Sequence, residues 1–131
     1  MKKIYTGGCL CGDIRYEVDG KIVWPHTCSC KMCQRHTGAL TALWVEVAAD
    51  NLKWVGKGGK PKLFRSSKNS QRAFCAKCGS SLGAIDDKPT IGLLVGTMDK
   101  NNSLIFSPES HSYTSTLPKW WKRFVYKEIV S

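Results

Sequence analysis

Gly7-Gly8-Cys9-Leu10-Cys11-Gly12-Asp13-Ile14-Arg15-Tyr16-Glu17-Val18 is the stretch on which the reading of this chain turns. Its second half alternates, with Ile14, Tyr16 and Val18 apolar and Asp13, Arg15 and Glu17 polar, which is the period of a strand with one buried face. Its first half sets two cysteines one residue apart. That spacing lets two thiolates on one tight turn approach a single metal at about 2.3 Å from each sulfur. A short half-buried strand beside a cysteine turn is therefore the unit to seek along the rest of the chain.

The same short rhythm recurs. Strands are predicted over 21–26, 39–47, 52–55, 61–66, 71–74, 81–85, 90–96 and 104–106, punctuated by Gly, Pro and Asn/Asp clusters such as Asp19-Gly20 and Gly58-Gly59-Lys60-Pro61. Helix is expected only as a turn or two over 33–36 and near 118–122, where Pro118 is pre-set for a first helical position. The expectation is an all-β fold of short antiparallel strands, in which 1–131 make one domain with no internal repeat and no low-complexity tract.

Composition sets the outer bounds. With 131 residues, 42% hydrophobic and 23% charged, the chain resembles an ordinary globular protein rather than a disordered one. The most apolar run, Ile91 to Val95, is far shorter than the ~18 residues of a membrane span. Lys2 and Lys3 are followed by no apolar leader core, so secretion is not expected and a cytoplasmic location is. The net charge is +10, from 20 Lys and Arg against 10 Asp and Glu. Most of the excess lies between Asn51 and Ile85, where eight cations and no acidic residue occur. Such a surface suits an anionic partner, either nucleic acid or a carboxylate-bearing substrate, or else serves as a solvated basic hairpin. No nucleic-acid reading motif accompanies it, so nucleic acid is not the expected partner.

Seven cysteines carry the chemistry. They group as Cys9-x-Cys11, Cys28-x-Cys30-x-x-Cys33 and Cys75-x-x-Cys78-Gly79. An odd number in tight clusters reads as metal ligands or reactive thiols, not as a disulfide scaffold. Phe74-Cys75-Ala76-Lys77-Cys78-Gly79 has the form of a zinc knuckle, its glycine permitting the left-handed turn that aims N–H groups at sulfur. The pairs Cys9/Cys11 and Cys75/Cys78 would make a closed structural site of four sulfurs. Cys28, Cys30 and Cys33 would then form a three-ligand site with an open position for water or a substrate thiol. Alternatives for the triad are closure by His26 or His36, a metal-free cluster of reactive thiols, or an iron–sulfur centre.

The motifs together resemble a known family. Gly7 to Gly12 with Ile14-Arg15-Tyr16, then Cys28-Ser29-Cys30-Lys31-Met32-Cys33-Gln34-Arg35 with Thr37-Gly38, then Arg72-x-Phe74-Cys75-x-x-Cys78-Gly79-Ser80, are similar to successive motifs of the glutathione-dependent formaldehyde-activating enzyme family, which includes centromere protein V. His111 with Pro118 and Trp120 is similar to a fourth, looser pattern. The resemblance implies a β-tent zinc-binding fold and two zincs per chain. Cys9, Cys11, Cys75 and Cys78 match the structural zinc ligands, and Cys28, Cys30 and Cys33 match the exchangeable, catalytic zinc. It implies a carbon–sulfur lyase that joins a small thiol, glutathione or a similar one, to formaldehyde as an S-hydroxymethyl adduct. His111 is the candidate proton shuttle, and Arg35 or Arg72 the candidate carboxylate partner. The competing expectations are a non-catalytic thiol carrier and a basic interaction module.

Overall fold

The computed structural model of the protein describes residues 3–125, and side chains through 123. Ten strands dominate: β1 (Ile4–Gly8), β2 (Arg15–Asp19), β3 (Ile22–Cys28), β4 (Ala42–Ala48), β5 (Leu52–Trp54), β6 (Lys62–Arg65), β7 (Ser70–Phe74), β8 (Ser81–Asp86), β9 (Thr90–Leu94) and β10 (Ser110–Ser112). Two short helices, α1 (Lys31–Thr37) and α2 (Lys119–Val125), fall where helix was expected.

The strands form two sheets, a small one ordered β1-β2-β5 and a seven-stranded one ordered β10-β3-β4-β9-β8-β7-β6. Alternation in 14–18 decides how they pack. Ile14, Tyr16 and Val18 are buried, and Tyr16 and Val18 meet Val45 and Val47 of β4 and Ile91 and Leu93 of β9 in the main core between the sheets. The other face of the large sheet carries Trp44, Ala84 and Leu94, which with Ala42 pack beneath Cys28 and Cys33. A third cluster, Ile14, Ala73 and Leu82, lies under Cys9 and Cys75. The hydrophobic layers thus end in cysteines at two places.

Three local expectations are corrected. Residues 104–106 form a 3-10 turn rather than a strand: the Ser103 hydroxyl accepts from the Ile105 N–H at 3.3 Å, and only Phe106 of the three is buried. The strand predicted over 90–96 stops at Leu94, because Val95–Thr97 turns and the Met98 N–H closes on the Val95 carbonyl at 3.0 Å. The pairing is not wholly antiparallel, since β10 joins β3 in parallel, Ser110 opposite His26 and Ser112 opposite Cys28. The basic segment spreads over β5, β6 and β7, with all of β6 exposed at the sheet edge, where charged side chains discourage edge-to-edge pairing. Trp54 packs edge-on against Tyr16 at 6.0 Å instead of offering a stacking face.

Candidate functional site

Two loops build the first cysteine group. After β1 the chain turns through Cys9 to Gly12, the Gly12 N–H closing on the Cys9 carbonyl at 3.2 Å, with Gly12 in the left-handed region at φ +83°. After β7 the knuckle makes the matching turn, the Gly79 N–H on the Cys75 carbonyl at 2.8 Å and Gly79 at φ +79°. Backbone N–H groups point at sulfur as anticipated: Ile14 at Cys9 Sγ (3.2 Å), and Lys77 and Cys78 at Cys75 Sγ (3.3 and 3.4 Å). Ser80 stitches the loops together, its Oγ accepting from the Leu10 N–H at 2.9 Å and lying 3.2 Å from Cys78 Sγ. That hydroxyl is the main reason the Cys78 thiol is pulled down to about 5.

The four sulfurs of Cys9, Cys11, Cys75 and Cys78 all lie within 4.8 Å of one another. Cys9 Sγ to Cys11 Sγ is 3.6 Å and Cys11 Sγ to Cys75 Sγ 3.8 Å. Bonds of about 2.3 Å at tetrahedral angles give sulfur–sulfur edges of about 3.8 Å, whereas a disulfide needs about 2.05 Å. The donor set and its spacing fit a zinc-sized ion.

The second group sits where β3 runs into α1. Cys28 ends the strand, Cys30 caps the helix by accepting from the Cys33 N–H at 3.3 Å, and Cys33 is buried in the first turn. The link between them, Ser29, is fully buried and held on three sides: its N–H bonds to the Ser112 carbonyl (3.0 Å), its hydroxyl to Thr41 (2.9 Å), and its carbonyl accepts from Gln34 (2.9 Å). The three sulfurs converge within 4.8 Å. Hydrogen bonds from Cys28, and then from Cys30 and the Arg72 guanidinium, hold the Cys33 thiol down at about 5, while the same partnership pushes Cys28 up. The cluster thus favours the thiolate form of Cys33.

Around the triad lie contacts that local spacing did not reveal. Both terminal nitrogens of Arg72 are 3.7 Å from Cys33 Sγ, one of them also 3.3 Å from His36 Nδ1, and the guanidinium lies over the Trp44 ring at 5.2 Å. Neither His26 nor His36 joins the converging ligand atoms among the described residues, so the triad stands as three sulfurs. His111, on β10, lies opposite Thr27, with Nδ1 2.6 Å from the Thr27 hydroxyl. Strand alternation sends Thr27 to the face away from Cys28. A cleft of 180 Å³ on the outer sheet face reaches Cys28 and Cys33, and a wider groove of 780 Å³ passes Met32, Arg35, Phe64 and Arg72. Arg35 and Arg72, the cations named from the sequence, thus both line a groove beside the triad.

Mostly strand, the fold and site define a small β-sheet protein with two cysteine groups able to hold metal ions. A profile of the glutathione-dependent formaldehyde-activating enzyme family matches residues 4–116, and the chain belongs to that family. Proteins of Aspergillus flavus and Aspergillus oryzae named for glutathione-dependent formaldehyde activation are each 30% identical over 96 residues, covering 68% of this chain and 50% of theirs. A Podospora anserina protein of the same name is 30% identical over 83 residues, covering 60% of this chain and 39% of its own. The chain therefore spans about half the length, or less, of these relatives. A crystal structure of a Rhodobacter sphaeroides protein shares the fold, with a TM-score of 0.63 at 20% identity over 82% of this chain and 99% of that one. Among the described residues no helix is long and apolar enough to cross a membrane.

Proposed function

We propose that the chain is a zinc-dependent carbon–sulfur lyase that adds a small thiol, glutathione or a similar one, to an aldehyde such as formaldehyde. The observation that carries this is the contrast between the two cysteine groups: four sulfurs at tetrahedral spacing, and three sulfurs at the edge of a cleft. In this reading Cys9, Cys11, Cys75 and Cys78 hold a structural zinc, and Cys28, Cys30 and Cys33 hold an exchangeable one with a position left for the substrate. When bound there, zinc keeps a thiol deprotonated near neutral pH and acts as a Lewis acid toward the aldehyde oxygen.

The chain's own residues supply the rest. Ser29, locked by its three hydrogen bonds, keeps Cys28 and Cys30 on one side of the β3–α1 turn. Arg72 lays positive charge on the triad and favours the thiolate state of whatever sulfur gathers there. The thiol loses its S–H proton, sulfur bonds to the carbonyl carbon, and the former carbonyl oxygen takes up a proton, so that RSH and CH2O give RSCH2OH. His111 enters as a positioning residue, bracing Thr27 next to Cys28. We read residues 1–131 as one domain working in the cytoplasm, where reduced thiol pools keep such cysteines unoxidised.

Elemental analysis together with NMR of adduct formation tests the reading. Two zincs per chain, and S-hydroxymethylglutathione forming faster than the uncatalysed rate at substoichiometric protein, are expected, with the acceleration lost in Cys30→Ser. A rate equal to the protein-free control overturns it.

A further inference from the structure

The 780 Å³ groove runs between helix α1 and the outer strands of the large sheet, and it shares Arg72 with the smaller cleft at the triad. Its walls follow from local geometry. On α1, Met32, Arg35 and His36 stand at i, i+3 and i+4 and so share one helical face. On the sheet, Phe64 of β6 is paired with Arg72 of β7, and Phe74 follows two residues later on the same side. Phe64 is 65% exposed, a large ring left open to water at the mouth of a groove that Met32 and Phe74 also line.

Charge in this groove is one-sided. Arg35 and Arg72 line it and no acidic residue does. Among the described residues neither arginine makes an ion pair, and Arg35 makes no side-chain hydrogen bond. The cation Arg65, on the same strand as Phe64, has by contrast found Asp87 at 3.3 Å. Arg72 adds an independent sign. Its Nε, which can only donate, is buried without a hydrogen-bond partner. A buried N–H with no acceptor leaves its positive end uncompensated. Being closed to solvent, that atom acts on the groove through its potential rather than by contact. Apolar walls under an unbalanced positive field call for a ligand that is itself both apolar and anionic.

We propose that this groove holds the body of the thiol substrate, and that this body is an aryl or branched-alkyl carboxylate. Arg35 meets the carboxylate as a forked hydrogen-bond donor, Arg72 adds positive charge behind it, and Met32, Phe64 and Phe74 cover the apolar part. Size agrees: 780 Å³ lies within the roughly 300–1,000 Å³ of pockets that bury drug-sized ligands, whereas the 180 Å³ cleft at the triad has no room for such a body. Arg72 lines both spaces and touches Cys33, which makes them neighbours. Glutathione brings carboxylates but no aryl or branched-alkyl group, and would leave the three apolar side chains uncovered. The inference rests on the reading of the triad as a thiol site and narrows the thiol.

Calorimetric titration at constant ionic strength with 3-phenylpropanoate, propanoate and 3-phenylpropan-1-ol tests the groove with probes that carry no sulfur. Phenylpropanoate is expected to bind at least about tenfold more tightly than either of the others. In Phe64→Ser its advantage over propanoate falls, and in Arg35→Gln its advantage over the alcohol falls. Both side chains are exposed, and circular dichroism checks that each variant folds. Equal binding of the three probes, or a preference that survives both substitutions together, overturns the groove and leaves the thiol reading of the triad standing. Self-association that Phe64→Ser abolishes also overturns it, since a second copy would then cover this surface. Zinc-loaded protein should further bind 3-phenyl-2-sulfanylpropanoate at least about tenfold more tightly than 3-phenylpropanoate. Equal affinity for these two overturns the thiol reading on which the proposal rests.

Discussion

Arg72 rests its guanidinium on the sulfur of Cys33, both terminal nitrogens 3.7 Å away, across 39 residues of sequence. The contact joins strand β7 to helix α1 and brings a fixed positive charge to a cluster that gathers negative charge on binding metal or thiolate. Arg72 lies three residues before the knuckle cysteine Cys75, so one strand serves both cysteine groups.

Removing that charge raises the pH at which Cys33 ionises. In metal-free, reduced protein, Arg72→Ala should shift the thiolate absorbance of the triad upward by about 1–3 pH units, the range for loss of an adjacent opposite charge. Arg72→Lys should recover part of the shift. An unchanged titration means that Cys33 is held down by Cys28 and Cys30 alone.

The two cysteine groups should differ in what they do for stability. Cys78→Ser removes a corner of the group that ties β1 to β7, and should lower unfolding free energy by more than about 4 kcal/mol or abolish cooperative melting. Cys30→Ser replaces the half-buried N-cap of α1 with another capping residue and should cost within about 2 kcal/mol. Denaturant titrations of the two proteins with metal content measured alongside decide it; equal losses overturn the division.

Tyr16 sets an alkaline limit. Burial, offset in part by its 2.7 Å hydrogen bond with Thr97, raises its phenol to about 12. The unfolded chain ionises near pH 10, so this contribution is complete below about pH 10 and is lost as pH rises toward 12, at about 1.4 kcal/mol per pH unit in the steep part. Tyr16→Phe should flatten the decline of stability between these limits, at the cost of roughly 0.5–1.5 kcal/mol near neutrality from the lost hydrogen bond. Parallel slopes for the two proteins would place the alkaline sensitivity elsewhere.

What the sequence disclosed follows from how local each feature is. Alternation at Ile14, Tyr16 and Val18 is written in side chains, and the predicted buried face is the one buried here. The cysteine turns were legible for the same reason, since side chains two or three residues apart are placed by a single turn. β1 was not seen because it ends in Gly7 and Gly8, which carry no side-chain pattern; a Cβ on Gly7 would lie 2.3 Å from the Thr97 carbonyl and from the Tyr16 hydroxyl. Ser110–Ser112 likewise has no apolar residue to betray a strand, and its parallel pairing with β3 emerges only in three dimensions. Arg72 on Cys33, and Phe64 opposite Arg72 along one groove, are products of sheet register, which no short window of sequence contains.

The four-sulfur group also has a history in time. Cys11 and Cys75 are 64 residues apart, so the first pair leaves the ribosome long before the second exists. At roughly 5–20 residues per second, that interval is about 3–13 s. For those seconds the nascent chain holds Cys9 and Cys11 without the second pair to close around. Only when the knuckle emerges can the four sulfurs gather, so the closing of this group waits on the middle of the chain rather than on its beginning.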